Sequence, residues 1–520
     1  MSSFYHYCQG ESHKSSDKPC QDFAYAESSS EFSIAVVCDG HGGERYFRSQ
    51  IGSQIAVEVT QNAVKGFLSE LDNSSFKLKK GAPLFKGTRF STYIADNPIS
   101  EQIDKQEHQA LIWLFSYIIC EWNNRIAMDA SRGLTEWEQS HVEQKYKDEF
   151  LAKQQDPNAT YEKTYGCTLM AFIQTKDFWI AFQIGDGKMV FFDTPNGTLN
   201  CSQPIPWDER CFLNRTTSIC DSNAIERFRY CYQGDGHFPL AVFLGSDGLD
   251  DSYGDGEKLY NFYIEVLKLY IKKLDNKKSK NKEGIDSFEI AKKETEKALK
   301  RDLPMISKIG SKDDMSVASI INIDNPVDTI ITLFAYQEKA LIESLNLHKD
   351  KFASLESKIN DLGNPELLEE AGLIELQYAR NDRKRELAFI DKIKKRLSVL
   401  RTERTKYLNA HGKVALPDKD DVEVLPDEEG TEALPDKEYT EVLPDKEDAE
   451  VLPDKKDAEV LPDKECTEVL PDKEDLLDIE KNEDLSDKEE RKYRKEKKNK
   501  KNKSLGLKKR LKPNRKKHKK

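Results

Sequence analysis

The chain has 520 residues, of which 37% are hydrophobic and 33% charged, and a net charge of −12, a balance too polar for one compact globule of that length. Residues 412–490 hold 31 acids against 10 bases, whereas residues 491–520 hold 18 bases and one acid, so the net charge describes no single part of the molecule. No run of about 18 apolar residues is present to cross a membrane, and Met1 to Cys8 has neither the basic nor the apolar region of a secretory signal, so a cytoplasmic protein is expected.

Taken in chain order, residues 1 to 324 read as a mixed enzyme domain. Runs rich in β-branched and aromatic residues predict strands at Phe32–Cys38, Thr168–Gln174, Phe178–Ile184, Met189–Phe192, Leu240–Leu244 and Met315–Ile323. Helical spacing predicts helices at Tyr46–Leu71, Gln106–Asp129, Lys258–Leu274 and Phe288–Leu299. Strands cluster, with helices grouped before and after them, which predicts α+β layers rather than an alternating parallel sheet. Asn73 to Ser100, rich in Lys, Gly and Pro, reads as a surface insertion. The ten cysteines are scattered singly with no C-x-x-C pair, which argues against zinc knuckles and dithiol chemistry.

Residues 327–411 change character. Leu341, Leu345, Phe352, Leu355, Ile359 and Leu362 make one heptad seam. Gly363-Asn364-Pro365 breaks it, and Leu387, Ile390, Leu397, Leu400 and Leu408 make a second. An antiparallel helical hairpin or coiled coil is expected, either a spacer or a surface for self-association. From 412 to 478 Leu-Pro-Asp recurs every nine residues, beginning at Leu416, Leu425, Leu434, Leu443, Leu452, Leu461 and Leu470. One proline and few apolar residues per unit predict a disordered acidic tract. Residues 479–520 end in a Lys/Arg-rich tail of the kind that can bind nucleic acid or other anionic surfaces.

The chemistry-bearing pattern is a set of aspartates at strand ends. Ala35-Val-Val-Cys-Asp39-Gly40-His41-Gly42-Gly43 runs from a strand into an acid and glycines, and the glycines let a ligand approach the backbone. Asp22 precedes the first predicted strand, and Asp186 links two others. Asp247 and Asp251 follow a strand end, and Asp313 and Asp314 precede the last strand. Each segment alone also fits a turn or a helix cap. Together they are oxygen donors without paired cysteines, which suits magnesium or manganese, and a cation would relieve their mutual repulsion.

The ordered set Gln21-Asp22, Asp39-Gly-His-Gly-Gly43, Gly166-Cys-Thr168, Gly185-Asp186, Ser246-Asp-Gly248 and Asp313-Asp-Met-Ser316 resembles the metal-dependent serine/threonine phosphatases, the type 2C (PPM) family. Gly10-Glu-Ser-His13 through Asp22 is similar to a bacterial branch of it. The resemblance implies a four-layer αββα sandwich, two antiparallel sheets flanked by helices with the metals in a cleft at one end. It implies two manganese or magnesium ions and a weaker third. Asp39 would bridge two ions, and the Gly40 carbonyl and Asp22 (through water) would serve the second. Asp247 and Asp313 would hold the first, and Asp186 the third, with Asp251 and Asp314 as further acidic candidates. A metal-activated water would attack phosphorus in phosphoserine or phosphothreonine while His41, in the general-acid position, protonates the leaving alkoxide. Phosphoprotein substrates and an opposing serine/threonine kinase are the implied partners.

Two departures stand out. The family commonly clamps phosphate with an arginine upstream of the Asp22 position, and residues 1–22 contain none; His13, Lys14 and Lys18 are the candidates to replace it. Gly187-Lys188 stands where Ser-Arg is frequent. Two other readings compete: a pseudophosphatase scaffold that binds phosphoprotein without turnover, and a tether driven by the charged tail.

Overall fold

The computed structural model describes residues 1–72, 83–95, 103–212, 215–254, 256–278, 287–363, 365 and 368–413. The nine-residue repeats and the basic tail lie outside these residues, as does much of the expected insertion.

In chain order the elements begin with β1 (Ser2–Cys8), α1 (Glu11–Ser15), β2 (Phe23–Ser28), β3 (Phe32–Cys38), α2 (Ser49–Asp72), β4 (Ser91–Tyr93) and α3 (Lys105–Ala130). Then come α4 (Glu136–His141), α5 (Gln144–Lys153), β5 (Leu169–Thr175), β6 (Trp179–Ile184), β7 (Lys188–Asp193), β8 (Asn200–Ser202), α6 (Ala224–Arg227) and β9 (Arg229–Gln233). The rest are β10 (Ala241–Gly245), α7 (Asp247–Asp251), α8 (Gly256–Lys278), α9 (Ser287–Ile309), β11 (Met315–Ile321), α10 (Pro326–Leu362) and α11 (Glu370–Ala410).

Two sheets form, a five-stranded one ordered β1-β11-β10-β7-β8 and a six-stranded one ordered β2-β3-β5-β6-β9-β4. Every strand pair is antiparallel. The alternation of β3 explains the layering. Ile34, Val36 and Cys38 join the core built with α2 and α3, while Ala35 and Val37 join the core between the sheets. A strand buried on both faces reads as a continuous apolar run, which is why this one stands out in the sequence. Between the sheets the small Ala24, Ala26, Ala35, Ala181 and Ala318 meet Met170, Phe172, Trp179 and Phe191, so large and small side chains interdigitate across the layer. On the far side, Phe4 packs on Tyr270 and Phe243 on Tyr263 of α8. The result is the four-layer sandwich with helices on both faces.

Helix α9 runs past the expected end at Leu299 and through Pro304, with Leu303 and Ile306 fully buried. Packing outweighs the hydrogen bond that a proline removes. Strands β1, β2, β4, β8 and β9 lie outside the predicted set; they are short, or their apolar residues are broken up by Ser, His, Arg or Gln.

Residues 1–397 belong to one compact unit. Within it α10 begins at its cap Asn325 and lies first on α8, where Gln337 meets Glu265 at 2.8 Å and the Lys268 ammonium sits 4.4 Å over the Phe334 ring. Its later turns pair antiparallel with α11 through Leu345, Ile390 and Ile393, flanked by Leu341 and Phe352. His348–Glu386 at 2.5 Å and Arg383–Glu356 at 3.6 Å lie beside this core. Gly363 ends α10 at φ +72°, a conformation that glycine adopts without penalty. The described residues from 398 onward are the last turns of α11 and the turn after it.

Candidate active site

At one end of the sandwich the strand termini converge on a cleft of about 130 Å³. Asp22 stands one residue before β2, Asp39 one residue after β3, and Asp186 in the turn between β6 and β7. Asp247 opens α7 after β10, and Asp313 and Asp314 immediately precede β11. All six aspartates line the cleft with His13, Gly40 and His41, and among the described residues no lysine or arginine lines it.

Hydrogen bonds around the cleft hold the Asp39, Asp22 and Asp314 segments in place. Asp39 is held by reciprocal bonds with Thr168: its N–H donates to the Thr168 hydroxyl at 3.1 Å and its carbonyl accepts the Thr168 N–H at 2.8 Å. The next residue, Gly40, bridges Cys167, and a Cβ there would come 2.6 Å from the Gln21 carbonyl. The close approach therefore demands glycine. The Ser316 hydroxyl donates to Asp22 Oδ2 at 2.7 Å, and the Ser246 hydroxyl accepts the Ser316 N–H at 3.0 Å, joining the ends of β10 and β11 beside Asp22.

Asp314 is 3% exposed and acts as an anchor. Its Oδ1 accepts the Gly10 N–H at 2.6 Å and its Oδ2 the Gln21 N–H at 2.5 Å. Asp314, one of the further acidic candidates, therefore receives a backbone donor on each of its oxygens. His13 lies against the same residue, Nδ1 2.8 Å from Asp314 Oδ2 and Nε2 3.9 Å from Asp313 Oδ1. Among the described residues His13, Asp313 and Asp314 each offer a donor atom, all within 4.8 Å of one another.

The electrostatics follow from crowding. Burial, then the neighbouring Asp314, pushes the Asp22 carboxyl well above the usual range. Burial, then Asp247 and Asp22, does the same to Asp39. Asp247 is pushed up to about 6, chiefly by burial, with Asp186 and Asp313 adding to it. Asp39 and Asp247 thus each raise or are raised within one cluster of buried carboxyls. Two like charges about 4 Å apart repel by roughly 4 kcal/mol at an effective dielectric near 20. The clustered oxygen donors and the raised carboxyls fit a divalent cation there.

His41 also lines the cleft, its ring edge-on to Tyr46 at 4.8 Å and its backbone N–H donating to the Gly166 carbonyl at 3.1 Å. Burial pushes it down to about 4. Lys18 stands outside the cleft lining, reaching the Gly42 carbonyl at 3.4 Å and Glu44 at 3.6 Å. Lys14 is exposed and does not line the cleft. Asp251 is exposed at the end of α7, also outside the lining, although its carboxyl is raised by burial first and then by Asp250 and Asp186. Lys188 pairs with Asp250 at 2.6 Å.

The residues behind Asp186 were not anticipated from the sequence. Buried Arg229 donates to the Gly185 carbonyl at 2.6 Å and faces Asp208 at 3.5 Å, while the Thr217 hydroxyl accepts the Gly185 N–H at 3.0 Å. No spacing in the sequence ties these positions together. Arg229 opens the short β9, which carries too little apolar pattern to mark it.

A family model described as Protein phosphatase 2C matches residues 9–283, more than half of the chain. Among solved structures, a bacterial serine phosphatase is 15% identical, with 62% of this chain and 99% of that chain covered and a TM-score of 0.31. Stp1 from Staphylococcus aureus is 15% identical over 62% and 96%, with a TM-score of 0.31. The catalytic domain of PstP, in complex with two manganese ions, is 13% identical over 62% and 98%, with a TM-score of 0.31. No curated protein sequence matches. The six strand-end motifs, the sandwich that gathers them and the family match agree: the chain belongs to the protein phosphatase 2C family.

Proposed function

We propose that the protein removes phosphate from phosphoserine and phosphothreonine in other proteins at a binuclear manganese or magnesium centre, opposing a serine/threonine kinase in the cytoplasm. The observation that carries this reading is the cleft itself: six aspartates from five separate segments, with no lysine or arginine lining it among the described residues. Asp39, the Gly40 carbonyl, Asp247 and Asp313 would hold the two ions with Asp22 acting through water, and Asp186 would hold a weaker third. Bound cations would offset the charge of the phosphate and bring the pKa of a water molecule near neutrality.

The chain's own groups do the remaining work. Asp22 is kept in place by Ser316 and by the Gln21 N–H anchored on Asp314. His41 sits where burial keeps it neutral at pH 7. An arriving phosphate dianion favours its protonated form, so the group becomes a competent acid when substrate is present. It then passes its proton to the departing serine or threonine oxygen.

The full chain with phosphothreonine and phosphoserine peptides tests this directly. Turnover is expected with manganese or magnesium, and to be lost in excess EDTA and in Asp39→Ala. Full turnover under either condition refutes the reading. The hairpin of α10 and α11 as a self-association surface, and the basic tail as a contact for nucleic acid or anionic surfaces, belong to the same proposal as targeting elements outside the chemistry.

A further inference from the structure

A cleft of about 490 Å³ opens at the end of the sandwich away from the aspartates. Trp179 begins β6 and Asp193 ends β7, so it lies about 17 Å, the length of β6, from the Asp186 turn. Both sheets stop beside it: Thr92 belongs to β4 and Ser202 to β8, the three-residue strands at their edges. The apolar lining includes Phe90, Trp179, Phe191 and three prolines, Pro204, Pro206 and Pro239. The half-exposed Phe90 ring stands 5.9 Å from that of Trp179, whose indole N–H donates to the His237 carbonyl at 3.1 Å. His237 Nε2 in turn pairs with Asp193 Oδ2 at 2.6 Å. The volume is that of a ligand pocket. Aromatic-lined grooves of this kind accept extended proline-containing segments, whose backbone is already set in the bound form.

The chain itself carries such a segment seven times, once in each nine-residue unit. In six of the seven a lysine follows Leu-Pro-Asp, as in Leu443-Pro-Asp-Lys446. The charges match: Asp193 in the lining suits that lysine, and exposed Arg89, next to Phe90, suits the aspartate. The course of the chain matches too. Glu375 meets Lys358 and Glu386 meets His348, so α11 runs back toward the start of α10. That start lies beside the cleft, where the Asn322 amide, just before α10, donates to the Pro239 carbonyl at 2.8 Å. The first unit, at Leu416, follows Ala410 by six residues. We propose that this cleft docks a Leu-Pro-Asp unit of the same chain and so holds the acidic repeats away from the aspartate cluster. Tethering supplies a local concentration on the order of 1 mM, so a single unit that binds at about 0.1 mM stays seated. The inference is independent of the reaction at the aspartates.

The test is photo-crosslinking of the full-length protein with p-benzoylphenylalanine in place of Phe90. Ordinary and nitrogen-15 chains are mixed, irradiated and mapped by mass spectrometry. Links from position 90 to residues 414–475 of the same isotope are expected. Their yield should exceed at least about fivefold that from the same replacement at Met128, which is exposed on α3. Replacing the proline of every unit, Pro417 to Pro471, by alanine should lower the yield at least about fivefold. Links that join two isotopes assign the cleft to a second copy, and links to residues 479–520 assign it to the basic tail. Equal yields from positions 90 and 128 mean chance contact. Each of these results overturns the proposal, as does a lack of links to the repeats or a yield that the proline replacement leaves unchanged. Should the Phe90 variant fail to fold, the same replacement at Gln203, on the other sheet's side of the cleft, decides by the same criteria.

Discussion

Ser316 and Asp22, 294 positions apart, are joined by a 2.7 Å hydrogen bond from the serine hydroxyl to Asp22 Oδ2. The bond ties the start of β2 to β11 and gives a buried carboxylate one of its few donors. Hydrogen bonds to charged groups contribute about 1.5–3 kcal/mol, and about 1.4 kcal/mol is a factor of ten in binding. Ser316→Ala is therefore expected to raise the manganese concentration for half-maximal activity about tenfold with little change in far-ultraviolet circular dichroism. An unchanged metal dependence contradicts that role for Ser316.

Acid titration reads the crowding of carboxylates. Burial and the neighbouring carboxylates push Asp247 up to about 6, and Asp22 and Asp39 are also raised. A carboxyl with a raised folded pKa binds more protons folded than unfolded above pH 4, so stability falls as pH rises through that window. Metal-free protein should therefore lose melting temperature from pH 4.5 to 7, and saturating manganese should restore it at pH 7 to 8. Asp247→Asn should raise the melting temperature of the metal-free protein at pH 7.5. A flat profile without metal counts against the cluster.

His41 has a specific signature if it serves as the acid. His41→Gln should lower kcat on a phosphothreonine peptide about 100-fold. Turnover of p-nitrophenyl phosphate, whose leaving group needs no proton, should change only a few-fold. Equal losses on both substrates point to a positional role instead.

Arg229 supports the Asp186 turn from behind. It is 2% exposed and contacts the Gly185 and Pro206 carbonyls and Asp208. Removing one partner of a buried pair costs about 3–5 kcal/mol. Arg229→Gln should lower the melting temperature by several degrees, and a melting temperature equal to wild type contradicts this. The same change should weaken the lowest-affinity metal site before the others.

The catalytic end of the fold was legible because its chemistry is local in sequence. Asp39, Asp186 and Asp247 each sit at a strand end next to glycine, and β3 is apolar on both faces. The hairpin was legible from its seam, although Leu387 is 41% exposed while Ile393, outside the expected set, is buried. Helix drift against a strict heptad accounts for that shift. The anchoring by Asp314 was not legible, since Gly10 and Gln21 lie 304 and 293 positions from it. Likewise β1 pairs with β11 from the opposite end of the domain, and its sequence, Ser-Ser-Phe-Tyr-His-Tyr-Cys, alternates too weakly to declare a strand.

Manganese binding by titration calorimetry on the full chain, beside Asp39→Asn, bears on the whole account. Two or more ions per chain are predicted for the wild type, with at least one lost in the variant. A wild-type protein that binds no divalent ion at millimolar concentration, or a variant that binds the full complement with unchanged affinity, contradicts it.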